Sequence, residues 1–495
     1  MRVFGFRRWG FRRWGFRRWL AILLALLAGA TLRVWFIHAL PQIQGDTLLY
    51  GDIASNWLVH GVYGLSSRNV HGAWSVSPTL IRLPGYPAFL ALCFKLFGLD
   101  AYRPVLYLQA SIDLATCLLI AGFVRRICSP RAAMIALWLA ALCPFTANYV
   151  AMPLTETLSI FCVALGFYAL ACWLDCPGWR TAATLTFAWS YGALLRPDGA
   201  LLAVVLFLAM VFYGRRSPGL ARALRTALVC AAVSITPFVA WAWRNATTFH
   251  VFQPLAPRTA VDPGEFAAPG FEAWSKTWMA DFASTYEIYW NVPGDYADFH
   301  ALPSRAFDSP AQYRETQRLF AEYNRGQSLT PQIDAGFAAL AAQREHAHPW
   351  RSRLELPLLR LADMWLRPRV EMLNIELRWW QYGRHRAETR FSFAYGALNL
   401  ALLLAAAAGA FWWPRLRGAM LGYLIVRSLL LLTVAAPEPR YTLEAFPILL
   451  ALAAYAVDIG PRAFSRAFFR GGPGRTADGA ASAGLASREG LNAGR

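Results

Sequence analysis

Lysine is almost absent from this chain: Lys95 and Lys276 are the only two among 48 basic residues, so arginine carries nearly all of a formal net charge of +19. Charged residues of both signs make up only 16% of the sequence against 57% hydrophobic residues, which excludes a solvated, disordered chain. Disulfide-type spacing is also missing. The eight cysteines, Cys172 and Cys176 included, lie in or beside apolar stretches, and the longest polar region has none. They read as small buried residues, with neither a disulfide framework nor the spacing of a metal site. No glycine-rich dinucleotide or phosphate loop is set between a strand and a helix, so no nucleotide cofactor is expected.

What the chain does have is a succession of apolar stretches between Trp19 and Asp458. They approach or reach the roughly 20 residues that cross about 30 Å of hydrocarbon. The arginines gather in short segments between them, at Arg7 to Arg18, Arg125 to Arg131, Arg215 to Arg225, Arg415 to Arg417 and Arg462 to Arg470. Such clustering follows the positive-inside rule and needs no nucleic acid to explain it. Placing these segments on the cytoplasmic side gives an all-α polytopic membrane protein, with spans at 19–39, 104–124, 132–150, 157–174, 181–195, 199–213, 224–243, 391–413, 418–436 and 443–458. Both termini are then cytoplasmic. Pro84 to Gly98 is apolar but short; it reads as a helix half-inserted from the outer side, with an eleventh span as the alternative.

The chain thus divides into a basic cytoplasmic repeat (1–18), a transmembrane core (19–243) whose first outer loop is 40–103, an outer region with amphipathic helices (244–390), C-terminal transmembrane helices (391–458) and a cytoplasmic tail (459–495). The repeat is Gly-Phe-Arg-Arg-Trp, begun at Gly5, Gly10 and Gly15. A five-residue step advances a helix by about 500°, so its arginines spread around the axis. Arg and Trp suit an anionic inner surface, which favours a tolerated duplication over a specific lipid site. Apolar character continues past Ala28-Gly29-Ala30 to Leu40, so the first span is expected to stay as an anchor. The Gly-, Ala- and Ser-rich tail has the composition of a disordered end.

Asp46 follows the first span closely, in Gln44-Gly45-Asp46-Thr47-Leu48-Leu49-Tyr50. A carboxylate where a span leaves the bilayer can meet both a lipid-borne substrate and a polar one. Beyond it, Leu49, Ile53 and Trp57 recur at four-residue steps with Asp52, Ser55 and Asn56 between them, the pattern of a helix lying in the interface. Asp46 would stand at its N-terminus, where the dipole favours a negative charge, so a helix cap explains it as well as chemistry does.

Other outer turns are unexpectedly basic. They are Arg82-Leu83-Pro84-Gly85-Tyr86-Pro87, Arg196-Pro197-Asp198-Gly199, Trp243-Arg244-Asn245 and Pro437-Glu438-Pro439-Arg440-Tyr441, with Met152-Pro153-Leu154-Thr155-Glu156 at a further outer turn. Arginine is depleted from outer turns. Each one alone reads as a snorkelling or salt-bridged residue; converging on one acid they suit a phosphate, which the guanidinium fork binds bidentately.

These motifs, in this order and on this side, resemble the polytopic GT-C glycosyltransferases, specifically the bacterial relatives of the protein O-mannosyltransferases and of the lipid A aminoarabinose transferase. The resemblance covers about residues 20 to 460 and rests on Gly45-Asp46 with Tyr50, Arg-Leu-Pro-Gly-Tyr-Pro, Thr155-Glu156, Arg196-Pro197-Asp198-Gly199, Trp243-Arg244-Asn245 and Arg440-Tyr441. Leu83 stands where the family often has proline, and 246–390 matches poorly. The resemblance implies that Asp46 is catalytic and that a sugar is moved, with inversion, from a polyprenyl-phosphate donor to an acceptor hydroxyl. The acceptor is a cell-envelope glycan, lipopolysaccharide or a protein, met at the periplasmic face of a bacterial inner membrane. It makes Tyr50, Arg82, Tyr86, Arg196, Arg244, Arg440 and Tyr441 donor-binding candidates. Glu156 is either a second acid or a helix-start residue. A magnesium or manganese ion, if used, would sit on Asp46 and Glu156.

Within the spans, Asp113 is expected to pair with Arg33 or Arg427. His346 and His348 have no third ligand and are placed on the surface. Two rival classes also gather charge between spans. A transporter or lipid flippase commonly shows repeated halves, which seven spans before the large outer region and three after it do not suggest. An oligosaccharide ligase using polyprenyl diphosphate gives no reason for Asp46 or the Arg-Pro-Asp-Gly turn.

Overall fold

A computed structural model describes residues 16–68, 73–381, 385–412 and 415–470, the side chains of 461–470 apart. Most of the basic repeat and the tail from residue 471 lie outside the described residues. Helix α1 (Phe16–Ala39) is followed by α2 (Asp46–His60), a hairpin of β1 (Gly64–Arg68) and β2 (Trp74–Pro78), and the short α3 (Gly85–Phe97). A run of helices then carries the chain back and forth: α4 (Tyr102–Ile127), α5 (Pro130–Ala141), α6 (Pro144–Ala147), α7 (Glu156–Asp175), α8 (Trp179–Leu195), α9 (Ala200–Gly214) and α10 (Leu220–Phe249). The outer region holds α11 (Pro269–Lys276), α12 (Phe282–Ser284), α13 (Pro310–Gly326), α14 (Pro331–Ala347) and α15 (Leu356–Leu366). Three more helices close the chain, α16 (Arg386–Trp412), α17 (Arg417–Leu431) and α18 (Phe446–Arg470).

Helical structure lies within each expected span among the described residues, although α17 ends at Leu431, short of the expected 436. Among the described residues, six helices are long and apolar enough to cross a membrane, or seven if α5 and the segment Pro144–Ala151, bent by 46°, form one span. One of the six, Pro197–Phe249, breaks at Ser217, whose φ of −159° and ψ of 119° are not helical, and this separates α9 from α10. Helices α8 and α17 are shorter, at 17 and 15 residues. Helix α3 has 13 residues, about 20 Å at 1.5 Å per residue, which is too short for a crossing.

Local chemistry places these ends. Ser129 caps α5 by accepting from the Ala132 amide, with Pro130 in the first turn; Ser309 and Thr330 do the same for α13 and α14. Where α5 stops at the bend, the carbonyls of Ala140, which also accepts from the Cys143 amide, and Ala141 accept from Arg33 of α1 at 3.4 and 2.7 Å. Arg33 also donates to Asp113 of α4 from Nε at 2.7 Å. The pair is fully buried, so Arg33, not Arg427, is the partner of Asp113, and it serves as the C-cap of a broken helix. Gly29 allows this approach, because a Cβ there would lie 3.1 Å from the Ala141 oxygen.

The described residues form four apolar cores, two large and two small. The largest lies among the membrane helices and also takes in Val370, Met372 and Trp379. The second is confined to the outer region, where Phe271, Trp274, Trp278, Phe320 and Phe337 interlock. The interfacial pattern of α2 is only partly realised: Ile53 is buried, but Trp57 is 39% exposed and Asn56 is buried instead. The Asn56 amide donates to Asp52, to the Gly64 carbonyl and to Ser66 at 3.0–3.1 Å. A hydrogen-bonded link to the hairpin thus outweighs apolar burial at that turn. His346 and His348 are exposed.

Candidate active site

Six segments meet at the end of the bundle opposite the arginine-rich turns and enclose a cavity of about 340 Å³. They are the start of α2, the stretch 81–83, the start of α7, the α8–α9 turn, the loop 256–260 after α10, and the approach to α18. Glycines make the meeting tight. Gly45 has a φ of +56°, a region that glycine enters at little cost, and it turns the chain into α2. A Cβ on Gly85 would come within 2.5 Å of the Leu194 oxygen, and one on Gly199 within 2.1 Å of the Gly192 oxygen. The Arg82 motif is thereby pressed onto the end of α8 beside Arg196.

Asp46 is the first residue of α2, yet Gly45 is the cap position and makes no side-chain cap bond. The Asp46 carboxylate turns to arginine instead: Arg82 donates to Oδ1 at 3.0 Å and Arg440 to Oδ2 at 3.3 Å. Burial pushes its proton affinity up, but Arg440 and Arg82 outweigh that and hold the carboxyl below its ordinary pKa. The side chain stays 34% exposed. Glu156, the first residue of α7, is by contrast buried, and Arg196 donates to its Oε1 at 3.2 Å. Arg440 therefore stands between the two acids, 3.9 Å from Glu156 through Nε.

Behind this wall lies a second layer of charge. Arg196 reaches Asp198 at 3.1 Å and Glu444 at 3.4 Å. Arg427 of α17 pairs with Asp198 at 3.2 Å, contacts Glu444, and donates to the Tyr441 carbonyl at 2.6 Å. Glu438 pairs with Arg440 and accepts from the Tyr441 hydroxyl at 2.6 Å. Rings flank the guanidinium groups: Tyr50 lies 5.8 Å from Arg82, and Tyr441 lies 5.3 Å from Arg196. Burial pushes the Tyr50 hydroxyl up to about 12, so it remains a hydrogen-bond donor near neutral pH.

Of the candidates named from sequence, Asp46, Glu156, Tyr50, Arg82, Arg196, Arg440 and Tyr441 line this cavity, whereas Tyr86 and Arg244 do not. Tyr86 is buried behind Tyr50 and donates to Gln109 at 2.7 Å. Arg244 holds the first outer loop, donating to the Thr79 and Tyr63 carbonyls at 2.8 Å each. Asp198, Glu438, Glu444, Arg427 and Arg258 carried no assigned site role from sequence. A charge at the start of the last apolar span is the signal that points to Glu444; Arg258 sits in a loop with no pattern of its own. Among the described residues, no three His, Cys, Asp or Glu side chains are grouped as metal ligands. Asp46 and Glu156 do not fit a shared divalent ion, because Arg440 occupies the space between them.

The polytopic helical bundle that carries this acid and its arginines has a GT-C-type fold, similar to that of a solved membrane oligosaccharyltransferase. Residues 78–241 match the family model of dolichyl-phosphate-mannose-protein mannosyltransferases. A crystal structure of the Archaeoglobus fulgidus oligosaccharyltransferase, tethered to an acceptor peptide containing the NVT sequon, superposes with a TM-score of 0.50 at 13% identity, covering 92% of this chain and 51% of that one. The same enzyme, AglB, in complex with an inhibitory peptide and a dolichol-phosphate gives 0.47 at 13% identity over 93% and 52%. ArnT from Cupriavidus metallidurans bound to undecaprenyl phosphate gives 0.38 at 14% over 90% and 80%. The chain spans about half the length of the oligosaccharyltransferases. No curated protein matches it.

Proposed function

We propose that this protein is an inverting glycosyltransferase that moves a sugar from a polyprenyl-phosphate donor to an acceptor hydroxyl at the periplasmic face of a bacterial inner membrane. The observation that carries the reading is the Asp46 carboxylate clamped between Arg82 and Arg440 on the wall of an open, charged cavity. In the reaction the acceptor oxygen attacks the anomeric carbon as the bond from that carbon to the phosphate oxygen breaks. The hydroxyl proton passes to Asp46 and the lipid phosphate leaves with the bonding pair. Arginines facing the phosphate stabilise its growing charge, and loss of one well-placed donor of this kind costs about 3 kcal/mol.

A carboxylate held by two arginines is a weak base, because its negative charge is already neutralised. Arrival of the donor phosphate supplies a competing anion for Arg82 and Arg440. As they turn to it, the proton affinity of Asp46 rises, so the base becomes effective only when the donor is in place. Glu156 holds Arg196 and lies beside Arg440, which makes it a positioning residue in this scheme. The acceptor is a cell-envelope glycan, lipopolysaccharide or a protein, and the site reaches it from the water side.

The test is transfer in proteoliposomes loaded with radiolabelled polyprenyl-phosphate sugars and offered each acceptor class. Wild type transfers label. Asp46→Asn protein with an unchanged melting temperature loses about 10² to 10⁴ in rate, the range of general-base catalysis. Equal rates for the two proteins would remove Asp46 from the mechanism. Solute transport without transfer would replace the reading with that of a carrier.

A further inference from the structure

Four arginines line the cavity, and three of them are committed to acids of its wall: Arg82 and Arg440 to Asp46, and Arg196 to Glu156 and Asp198. Only 17–23% of each of those side chains is exposed. The fourth is different. Arg258 is 77% exposed, and among the described residues its one ion-pair partner is Glu272 of α11, at 3.5 Å and outside the cavity lining. An exposed pair at that distance contributes little. Nor does Glu272 depend on it, because the same carboxylate oxygen accepts from Lys276 at 2.6 Å.

The backbone around Arg258 is placed firmly although its side chain is weakly held. Residues 257–260 form a turn in which the Ala260 amide donates to the Pro257 carbonyl at 3.3 Å. Ala260 has a φ of +51°, a conformation costly for a residue other than glycine, and such a turn persists only where its surroundings over-determine it. Here both flanks are fixed. Asn245 of α10 donates to the Gln253 carbonyl at 2.7 Å, and the Leu80 amide donates to Asp262 at 2.8 Å. Between them, Ala256 packs against the small core that includes Ile53, Leu80 and Leu83. The turn is thus pinned to the stretch that carries Arg82, one of the two clamps on Asp46. A long side chain with a set origin and a weak resting contact can change partners without moving the backbone.

We propose that Arg258 is a donor-capturing residue, which leaves Glu272 for the lipid phosphate as the donor enters and adds a guanidinium from the loop side to those of the wall. This rests on the cavity being the donor site. A phosphate takes arginine bidentately, a better bond than the 3.5 Å contact it replaces, and Lys276 stays to neutralise Glu272. Because Arg258 stands largely in water, charge growing on the leaving oxygen is screened from it. Its bond is therefore nearly as strong in the bound donor as in the transition state, so it sets affinity for the donor more than the rate of the step. Glu272 works against capture, as an internal anion that competes for the same guanidinium.

Native mass spectrometry of the full-length protein in detergent, titrated with a polyprenyl monophosphate, tests this without requiring transfer. Arg258→Gln, with an unchanged melting temperature, should weaken retention about tenfold, and Arg258→Lys should recover part of it. Retention of the uncharged polyprenol should be the same in wild type and variant, and inorganic phosphate at the same concentration should displace nothing. Glu272→Gln should tighten retention about two- to threefold in the wild-type background and change nothing beside Arg258→Gln, a coupling expected of two groups that compete for one partner. In transfer assays the donor KM of Arg258→Gln should rise about tenfold while kcat falls by less. Unchanged retention in Arg258→Gln, an equal effect of Glu272→Gln in both backgrounds, or displacement by inorganic phosphate would each overturn the assignment. The proposed reaction fails separately: a protein that retains the lipid phosphate through Arg258 yet moves no sugar leaves this site standing.

Discussion

Arg440 donates to Asp46 at 3.3 Å although the two lie 394 positions apart in the sequence. The same guanidinium lies beside Glu156 and pairs with Glu438, so the last outer segment of the chain sets the charge environment of the first. If Arg440 exchanges Asp46 for the donor phosphate, its removal harms donor capture and the transition state together. Arg440→Ala should lower kcat/KM by about 10² or more, from a loss of about 3 kcal/mol. Arg440→Lys should recover only part of it, because a point charge cannot span two anions as the planar fork does. Initial rates against donor concentration read this, and a kcat/KM within a few-fold of wild type for Arg440→Ala would contradict it.

The clamp also fixes a pH dependence. The folded pKa of Asp46 lies below its ordinary value, so the ion pairs contribute stability above about pH 3.9, the unfolded carboxylate value, and lose it as pH falls through the depressed value. The acid limb of kcat/KM, which reports free enzyme, should therefore lie below the ordinary carboxylate range. The acid limb of kcat, which reports the donor complex, should lie higher, because the phosphate has drawn the arginines off. Coincident limbs would rule out the exchange.

Arg33 and Asp113 form a buried ion pair that takes no part in the cavity lining. Asp113→Asn leaves a buried guanidinium uncompensated and should cost about 3–5 kcal/mol, read as a large fall in the melting temperature in detergent. Replacing both residues by leucine should not restore wild-type stability, since the Ala140 and Ala141 carbonyls lose their cap as well. Full recovery in the double variant would show that the pair alone mattered.

Gly199→Ala places a Cβ against the Gly192 backbone, where 2.1 Å is available. Neither backbone can yield cheaply, so the α8–α9 turn must open and carry Arg196 and Asp198 with it. Activity should fall by more than tenfold (about 1.4 kcal/mol), with a lowered melting temperature. Gly422→Ala, which meets nothing within 4 Å, is the control and should behave as wild type.

Arg244→Ala should act on structure rather than chemistry. It frees the Tyr63 and Thr79 carbonyls at the two ends of the hairpin, so protease cleavage within 60–80 should rise. The donor KM should move less than it does for Arg196→Ala. A KM shift larger than that of Arg196→Ala would return Arg244 to the donor site.

Much is legible in the sequence. The apolar stretches match helices because a bilayer admits only segments that satisfy their own backbone hydrogen bonds. The arginines of turns outside the arginine-rich clusters stood out because they run against the positive-inside pattern, and Asp46 because it follows the first apolar stretch so closely. Arg258, Glu438 and Glu444 did not, since their meaning lies in partners contributed by distant segments.

Sequence alone determined the membrane class and the order of the helices, both of which follow from local hydrophobicity and local charge. Tertiary structure decided which charges meet. Only packing could assign Arg33 to Asp113 and a broken helix end, Arg427 to Asp198 and Glu444, and Arg440 to Asp46, and only it could set Arg244 and Tyr86 away from the cavity. A pairing between side chains hundreds of residues apart depends on the relative rotation and depth of helices, which the composition of each helix leaves open.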